Sequence, residues 1–316
     1  MNAPAGPARW DRAVVIYTPM TRRLFANKWP EICRSITRHA RIAAEVEAHV
    51  PESVRQALQR YQPDLLIAAG GDGTVNLCIQ VMTENDLLAV VPLGTANDLH
   101  RSLGKPSALT HRIDRIEVND RPFCTTGGLG IPSTVSQQVN RLRQSGLGRL
   151  SRAIGHHIYP VVAAKLLLLG SALSRSVEIE WVDADSGTTN HMRLRTNTLF
   201  VTNQSTFAGS LMVARDSIND DGHFEICIFK DQNYWRDLVI TARIAMALDQ
   251  RKRDCRVLRA LSARITTTEP VPFFGDGEII EINRHFDLNI RPKALNLSNL
   301  DWRLGAQDSR KESRHP

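Results

Sequence analysis

Residues 65–76, LLIAAGGDGTVN, constrain this chain more than any other stretch. An unbroken apolar run, of the kind that fills a strand covered on both faces, passes without a spacer into Gly70, Gly71 and Gly73, with Asp72 enclosed between them. Glycines let the backbone take positive φ and leave N–H groups uncovered, which suits the close approach of a phosphate. A helix beginning near Thr74 would aim the positive end of its dipole at the same anion. Asp72 opposes that picture, because a carboxylate in a phosphate cradle repels its ligand unless a cation, a bound water or a reacting proton lies between them. The stretch therefore points to chemistry on a nucleotide. A plain strand-to-helix turn stays open as the simpler reading, since the spacing is neither G-x-G-x-x-G nor the P-loop pattern.

A second unit of the same kind follows. Residues 87–93, LLAVVPL, read as another buried parallel strand, and Gly94-Thr95-Ala96-Asn97-Asp98 comes directly after it. Parallel strands place their loops at one carboxyl edge, so the two loops can converge on one crevice. Thr95 and Asn97 supply neutral hydrogen bonds there, and Asp98 a second carboxylate. Asn97 or Asp98 also reads as the N-cap of a helix starting near Leu99, accepting from its first-turn amides; a capped helix end beside a phosphate satisfies both readings.

These residues carry a resemblance. Gly70-Gly71-Asp72-Gly73-Thr74, Gly94-Thr95-Ala96-Asn97-Asp98-Leu99 and Arg101-Ser102-Leu103-Gly104 together resemble the diacylglycerol kinase-like lipid kinases, a group that includes bacterial lipid kinases and sphingosine kinases and is more distantly similar to NAD kinases. Residues 203–225, with Ala208-Gly209-Ser210 and Ile218-Asn219-Asp220-Asp221-Gly222, resemble the family's central segment, and Phe274-Gly275-Asp276-Gly277-Glu278 resembles its late Asp-Gly-Glu motif. The resemblance spans residues 12–295. Several ordered motifs are far more specific than one glycine loop.

The resemblance implies an N-terminal α/β nucleotide-binding domain over residues 1–128, a β-sandwich-like domain over residues 129–295, and a segment over residues 296–316 that returns to the first domain before a polar tail. It implies an ATP- and Mg²⁺-dependent transfer of phosphate to a hydroxyl of a diacylglycerol-like or sphingoid lipid in the cleft between the domains. Gly70, Gly71, Asp72, Gly73, Thr74, Asn76, Gly94, Thr95 and Asn97 would contact the nucleotide. Asp72 and Asp98 would hold Mg²⁺, which takes carboxylate, water and phosphate oxygens. Asp221 would give its carboxylate to a structural metal, with backbone carbonyls from Ile218 and His223; an ion-free Asp-Gly turn reads equally well there. Glu278 is the general base, with Asp276 beside it and Asp72 as the competitor. A turn with an exposed Glu278 is the reading left without the family. A soluble-substrate kinase related to NAD kinase, and a non-catalytic nucleotide- or lipid-sensing module, remain as alternatives.

The chain departs from the family at Thr18-Pro19-Met20-Thr21-Arg22, where relatives usually have Asn-Pro and a glycine, at Leu77, where many carry Glu, at Ala208 in a glycine run, and at Arg215 near a frequent proline. These changes bear on nucleotide affinity and acceptor identity, and they leave the phosphate loops and the Asp-Gly-Glu motif intact.

The rest of the chain is consistent with this reading. Its 316 residues suggest two domains, and five scattered cysteines without a C-x-x-C pair fit a reduced, cytoplasmic setting better than disulfides or zinc. Residues 1–12 lack the apolar core of a signal peptide, and no apolar run reaches the ~18 residues of a membrane span. The run 161–169 is expected as a buried helix or as the wall of a lipid site. A net charge of +7 suits transient contact with anionic lipid, densest at Arg251-Lys252-Arg253, Arg256 and Arg259, and no nucleic-acid motif accompanies it. Residues 13–17 read as a strand, residues 30–49 as mostly helical before a second strand-like stretch, and residues 51–59 as a helix start. Alternation up to about Thr125 argues a parallel sheet faced by helices. Beyond Ser174 come a hairpin around Asp185-Ser186-Gly187, strands at 224–229 and 257–267, and a helix near 234–248.

Overall fold

The computed structural model describes residues 10–103, 110–144, 158–168, 174–208, 211–229, 255–298 and 300. In its N-terminal half, strands β1 (Trp10–Tyr17), β2 (Ala40–Glu47), β3 (Leu65–Gly70) and β4 (Leu87–Pro92) lie in the order β2-β1-β3-β4, every pair parallel. Helices α1 (Pro19–Leu24), α2 (Trp29–Thr37), α3 (Pro51–Tyr61), α4 (Asp72–Ile79) and α5 (Asp98–Ser102) fill the connections.

The two-residue period of a strand explains why residues 13–16 of β1 and the whole of β3 are apolar. Val14, Ile16, Leu66 and Ala68 point into one core with Val54 of α3 and Val75 and Cys78 of α4. Their neighbours Ala13, Val15, Leu65 and Ile67 point into the opposite core, against Trp29, Ile32 and Ile36 of α2. With both faces covered, neither side of these strands has room for a polar residue.

The helix starts follow local chemistry. Thr18 caps α1, its hydroxyl accepting from the Thr21 amide at 3.3 Å, and Pro19 holds the first helical position. The departure at Thr18 is thus a competent cap. Pro51 opens α3, and Gln62 ends it with a left-handed φ of 43°.

One local expectation changes. The mostly helical stretch 30–49 stops at Thr37, and residues 40–47 form β2, whose burial alternates residue by residue. Ala40, Ile42, Ala44 and Val46 sit two apart, which is a strand period, and the parallel edge of β1 recruits it.

From residue 110 onward the sheet turns antiparallel. Strands β5 (Thr110–Val118), β6 (Arg121–Phe123) and β7 (Thr126–Gly130) pair with one another or with strands of the C-terminal half, although the sequence placed them in the first domain. β8 (Arg175–Asp183) and β9 (Thr189–Thr196) form the expected hairpin through Asp185-Ser186-Gly187. β10 (Thr198–Thr202), the short pair β11 (Thr206–Phe207) and β12 (Leu211–Met212), and β13 (Phe224–Phe229) follow. Two 21-residue strands, β14 (Cys255–Gly275) and β15 (Glu278–Ser298), complete the set.

β14 pairs with β13 at its start and with β7 at its end, and β13, β10 and β7 pair in turn. The circuit of strands therefore closes on itself around one core, which includes Phe123, Phe224, Phe273, Phe286 and Trp181. The reverse faces of β10, β13 and β14 pack Phe200, Phe229 and Phe274 against α6 (Ile131–Gln144) and α7 (Ile158–Leu168). Within the run expected to be a buried helix, Val162, Ala163 and Leu166 of α7 are buried, while Val161 and Leu168 are exposed.

β15 joins the two halves. Near its end, residues Asn296–Ser298 pair parallel with Leu87–Ala89 of β4. The expected helix at 234–248, the cluster Arg251-Lys252-Arg253, residues 209–210 and the tail from 307 lie outside the described residues.

Candidate active site

The carboxyl ends of β3 and β4 face the turn between β14 and β15 across a cleft of about 750 Å³. Both glycine loops line it, together with Asp72, Asp98, Asp276 and Glu278. Met20, Leu24, Phe25, Leu93, Tyr159 and Phe207 give it an apolar side. Tyr159 of α7 meets Phe207 edge-on, with ring centroids 5.5 Å apart.

The loops touch backbone to backbone. A Cβ on Gly94 would lie 2.4 Å from the Gly71 Cα, and one on Gly71 would lie 2.8 Å from the Gly94 Cα. A side chain on Gly70 would collide with the buried Thr74. Gly73 is different, since its nearest foreign atom is Glu278 Oε1, 3.9 Å from the Cβ position. Three of these glycines therefore exist for close approach, and Gly73 leaves the start of α4 open toward Glu278. α4 begins at Asp72 with Gly71 as a cap that has no side chain, so its first amides are directed to the cleft.

Asp72 does not sit in the cradle as a loose charge. Its Oδ2 accepts from the Asn97 amide at 2.9 Å and its Oδ1 from the Asp98 amide at 2.6 Å. The cap of α5 thus comes from the other loop. Asn97, the residue in the cap position, has a left-handed φ of 51° and makes no side-chain cap bond. Its amide group closes a ring with Gly94 instead, donating to the Gly94 carbonyl and accepting from the Gly94 N–H, both at 2.9 Å. Asn97 shapes the loop and so acts on a ligand through backbone geometry. Asp98 is buried, and its Oδ2 accepts from the Ala208 amide at 2.8 Å. Burial pushes the Asp72 carboxyl above the ordinary range; the Asp98 and Asn97 amides oppose that, and the charge of Asp276 adds to it.

Asp276 and Gly277 occupy the turn between β14 and β15 with φ of 51° and 83°, the signs of a type I′ hairpin. The Asp-Gly turn reading is therefore correct as geometry, and it also delivers two acids to the cleft. Asp276 is buried and fully engaged: Oδ1 accepts from the Thr125 amide at 2.8 Å and its hydroxyl at 2.6 Å, and Oδ2 from the Cys124 amide at 3.1 Å and Asn76 Nδ2 at 3.4 Å. Burial raises its pKa against these donors. Such a carboxylate fixes the turn to α4 and to the 124–125 segment, and it has little freedom to exchange protons with a substrate. Glu278 is exposed to the cleft, and its Oε2 accepts from Asn140 Nδ2 of α6 at 3.1 Å.

The residues assigned to a structural metal, Ile218, Asp221 and His223, lie at the turn before β13. Among the described residues, no three His, Cys, Asp or Glu side chains converge in a way that could hold an ion. The Asp221 carboxylate lies 3.0 Å from His223 Nδ1, and Arg259 Nε donates to His223 Nε2 at 2.9 Å. The Asp221 carboxylate is thus shared with a histidine at the turn where the resemblance places a structural metal. Asp114, which the motifs did not single out, is fully buried and holds this turn by accepting from the Gly222 amide at 2.6 Å and the Lys293 amide at 2.7 Å.

Sequence reasoning also missed Asn140, Thr125 and the aromatic pair. Asn140 lies four residues from Ser136, beside the buried stripe of Val135 and Val139, so the helical period places both polar groups along one edge of α6.

Two glycine loops at a parallel-strand edge, facing acids across a cleft with an apolar side, define a phosphotransferase. Comparison with known proteins agrees. Residues 12–123 match the family model described as diacylglycerol kinase catalytic domain. A diacylglycerol kinase of Staphylococcus haemolyticus is 26% identical over 70% of this chain and 68% of its own, and one of Bacillus subtilis is 27% identical over 70% and 75%. A solved structure of a diacylglycerol kinase homologue from Bacillus anthracis shares the fold with a TM-score of 0.69, at 19% identity over 93% of this chain and 99% of that one. Residues 12–123 thus match the diacylglycerol kinase catalytic domain, and the chain as a whole is similar to diacylglycerol kinases.

Proposed function

We propose that this protein transfers the γ-phosphate of ATP to a hydroxyl group of a diacylglycerol-like or sphingoid lipid. The observation that carries the reading is the pairing of two surfaces in one cleft: the Gly71–Gly94 contact on one side, and Glu278 with the aromatic pair Tyr159–Phe207 on the other. The glycine loops offer uncovered amides to the phosphates, and an acyl or sphingoid chain lies along the apolar side. Magnesium bound with the nucleotide neutralises charge on the phosphates as it transfers. The residues present fit it: Asp72 and Asp98 line the cleft, and a carboxylate keeps further lone pairs for an ion or its waters after accepting amide bonds.

Glu278 takes the proton. Its Oε1 faces Gly73 at the start of α4, where a hydroxyl bound against the phosphate would meet it. As the hydroxyl oxygen forms its bond to phosphorus, the bond to the leaving ADP oxygen breaks and the hydroxyl proton passes to Glu278. Asp72 is the poorer candidate because both its oxygens accept amides that set the second loop. The protein works at the edge of a bilayer, drawn by its net charge of +7; among the described residues no helix is long and apolar enough to cross a membrane. The nucleotide-binding domain is taken as residues 1–128, the β-rich domain as 129–295 and the returning segment as 296–316.

Purified protein with labelled ATP, Mg²⁺ and dispersed dioleoylglycerol or sphinganine should label the lipid. Labelling of NAD and no lipid would establish a soluble-substrate kinase, and tight ATP binding with no acceptor labelled would leave a sensing module.

A further inference from the structure

We infer that Asn140 of α6 is the positioning residue for Glu278: it holds one carboxylate oxygen so that the other is presented to the acceptor hydroxyl. The inference rests on the reading of Glu278 as the base. Asn140 Nδ2 carries two hydrogens, and both have acceptors. One goes to the Gly277 carbonyl at 3.0 Å and the other to Glu278 Oε2 at 3.1 Å. Ser136, one turn earlier, donates its hydroxyl to the same Gly277 carbonyl at 2.5 Å. The edge of α6 therefore does two jobs. Ser136 and half of the Asn140 amide clamp the turn, and the other half reaches one residue further to the reacting side chain.

The geometry separates the two oxygens of Glu278. Oε2 is directed to Asn140, and Oε1 lies on the side of Gly73, within ordinary contact distance of where a Cβ would be. An exposed glutamate on the first residue of a strand has three rotatable bonds and, left alone, samples many rotamers. A neutral amide is suited to select one of them. It donates to the carboxylate without adding a charge of its own, so its contribution to Glu278 is one of orientation. An acid at position 140 would repel the base, and a shorter side chain would remove this donor.

Turnover on dioleoylglycerol or sphinganine in micelles with MgATP tests this in five proteins: wild type, Asn140→Ala, Asn140→Gln, Ser136→Ala and Glu278→Gln. Asn140→Ala should lower kcat by about 10- to 100-fold with the KM for ATP changed less than about twofold, since an aligned catalytic group is worth that order in the transition state. Its kcat should also be lost at a higher pH on the acid side, because the carboxylate has lost a donor to its charged form and its pKa rises. Asn140→Gln should restore part of kcat. Ser136→Ala, which loosens the turn alone, should leave the position of the acid limb unchanged. Unfolding is tracked by melting temperature in each variant. If Glu278→Gln is inactive while Asn140→Ala keeps the wild-type kcat and pH limb, the positioning role is wrong and the base stands. An equal shift of the limb in Ser136→Ala would reduce Asn140 to a turn clamp. If Glu278→Gln turns over, or no acceptor is labelled by wild type, the base reading falls and this inference with it.

Discussion

The two walls of the cleft are built on opposite principles. The N-terminal wall is closed by a missing side chain: Gly71 and Gly94 meet backbone to backbone. The hairpin wall is held by donors: Asp276 and Glu278 are each fixed by amides and hydroxyls from β7's approach, α4 and α6. The first arrangement tolerates no added atom at the Gly71–Gly94 contact and is tied by Asp72 and Asn97. The second tolerates small changes of shape but depends on every hydrogen bond. Binding of phosphate and handling of the proton are thereby assigned to different halves of the chain, and substitutions should separate them.

Glu278→Gln attacks the hairpin wall at its reacting atom. It should cut kcat by roughly 10²- to 10⁴-fold, the usual worth of a positioned base, with ATP binding retained by calorimetry. Gly94→Ala attacks the other wall. Its Cβ lands 2.4 Å from the Gly71 Cα, and the forced separation should cost about 1–3 kcal/mol of stability, as overpacking does, together with ATP affinity. Chemical denaturation and ATP titration read the two losses.

Asp72→Asn probes the residue that joins the loops. One amide of the 97–98 pair loses its charged acceptor, so stability should fall by about 1–2 kcal/mol, the worth of a cap or a charge-assisted bond, and ATP affinity should weaken with it. Abolished turnover with unchanged melting temperature and ATP affinity would instead move the base to Asp72.

A pH series addresses the buried hairpin acid. Asp276 has a folded pKa above its model value of 3.8 because of burial. A carboxyl raised in the folded state holds its proton more tightly there, so its contribution to stability is greatest below the unfolded pKa and falls as pH climbs through the raised value. The melting-temperature advantage of wild type over Asp276→Asn should therefore shrink as pH rises above the ordinary carboxyl range; a constant or growing advantage would contradict the raised pKa. The smallest effect is expected at Gly73→Ala, where the nearest atom is 3.9 Å away. Stability should change by less than ~0.5 kcal/mol, as at open positions, so an effect on turnover there would report crowding of the space between α4 and Glu278.

The sequence made the parallel strands and both glycine loops legible because burial on two faces and close backbone approach demand unmistakable residue types. It could not show what Asp72 does, since the amides it accepts from are set by the packing of two loops 25 residues apart. Asn140 was invisible for a similar reason: one asparagine on an amphipathic helix has no local signature, and only the fold brings it to a turn more than 130 residues later. The boundary near residue 128 came from the resemblance alone, and local pattern does not show that β15 returns alongside β5.

That return has a practical side. Because Asn296–Ser298 lie against Leu87–Ala89, a fragment cut after residue 128 would expose the edge of β4 as an open template for another chain. The N-terminal half should therefore be a poor module for transplantation or separate expression, despite containing every glycine of the cradle. Its solubility is stored in a strand from the other half of the chain.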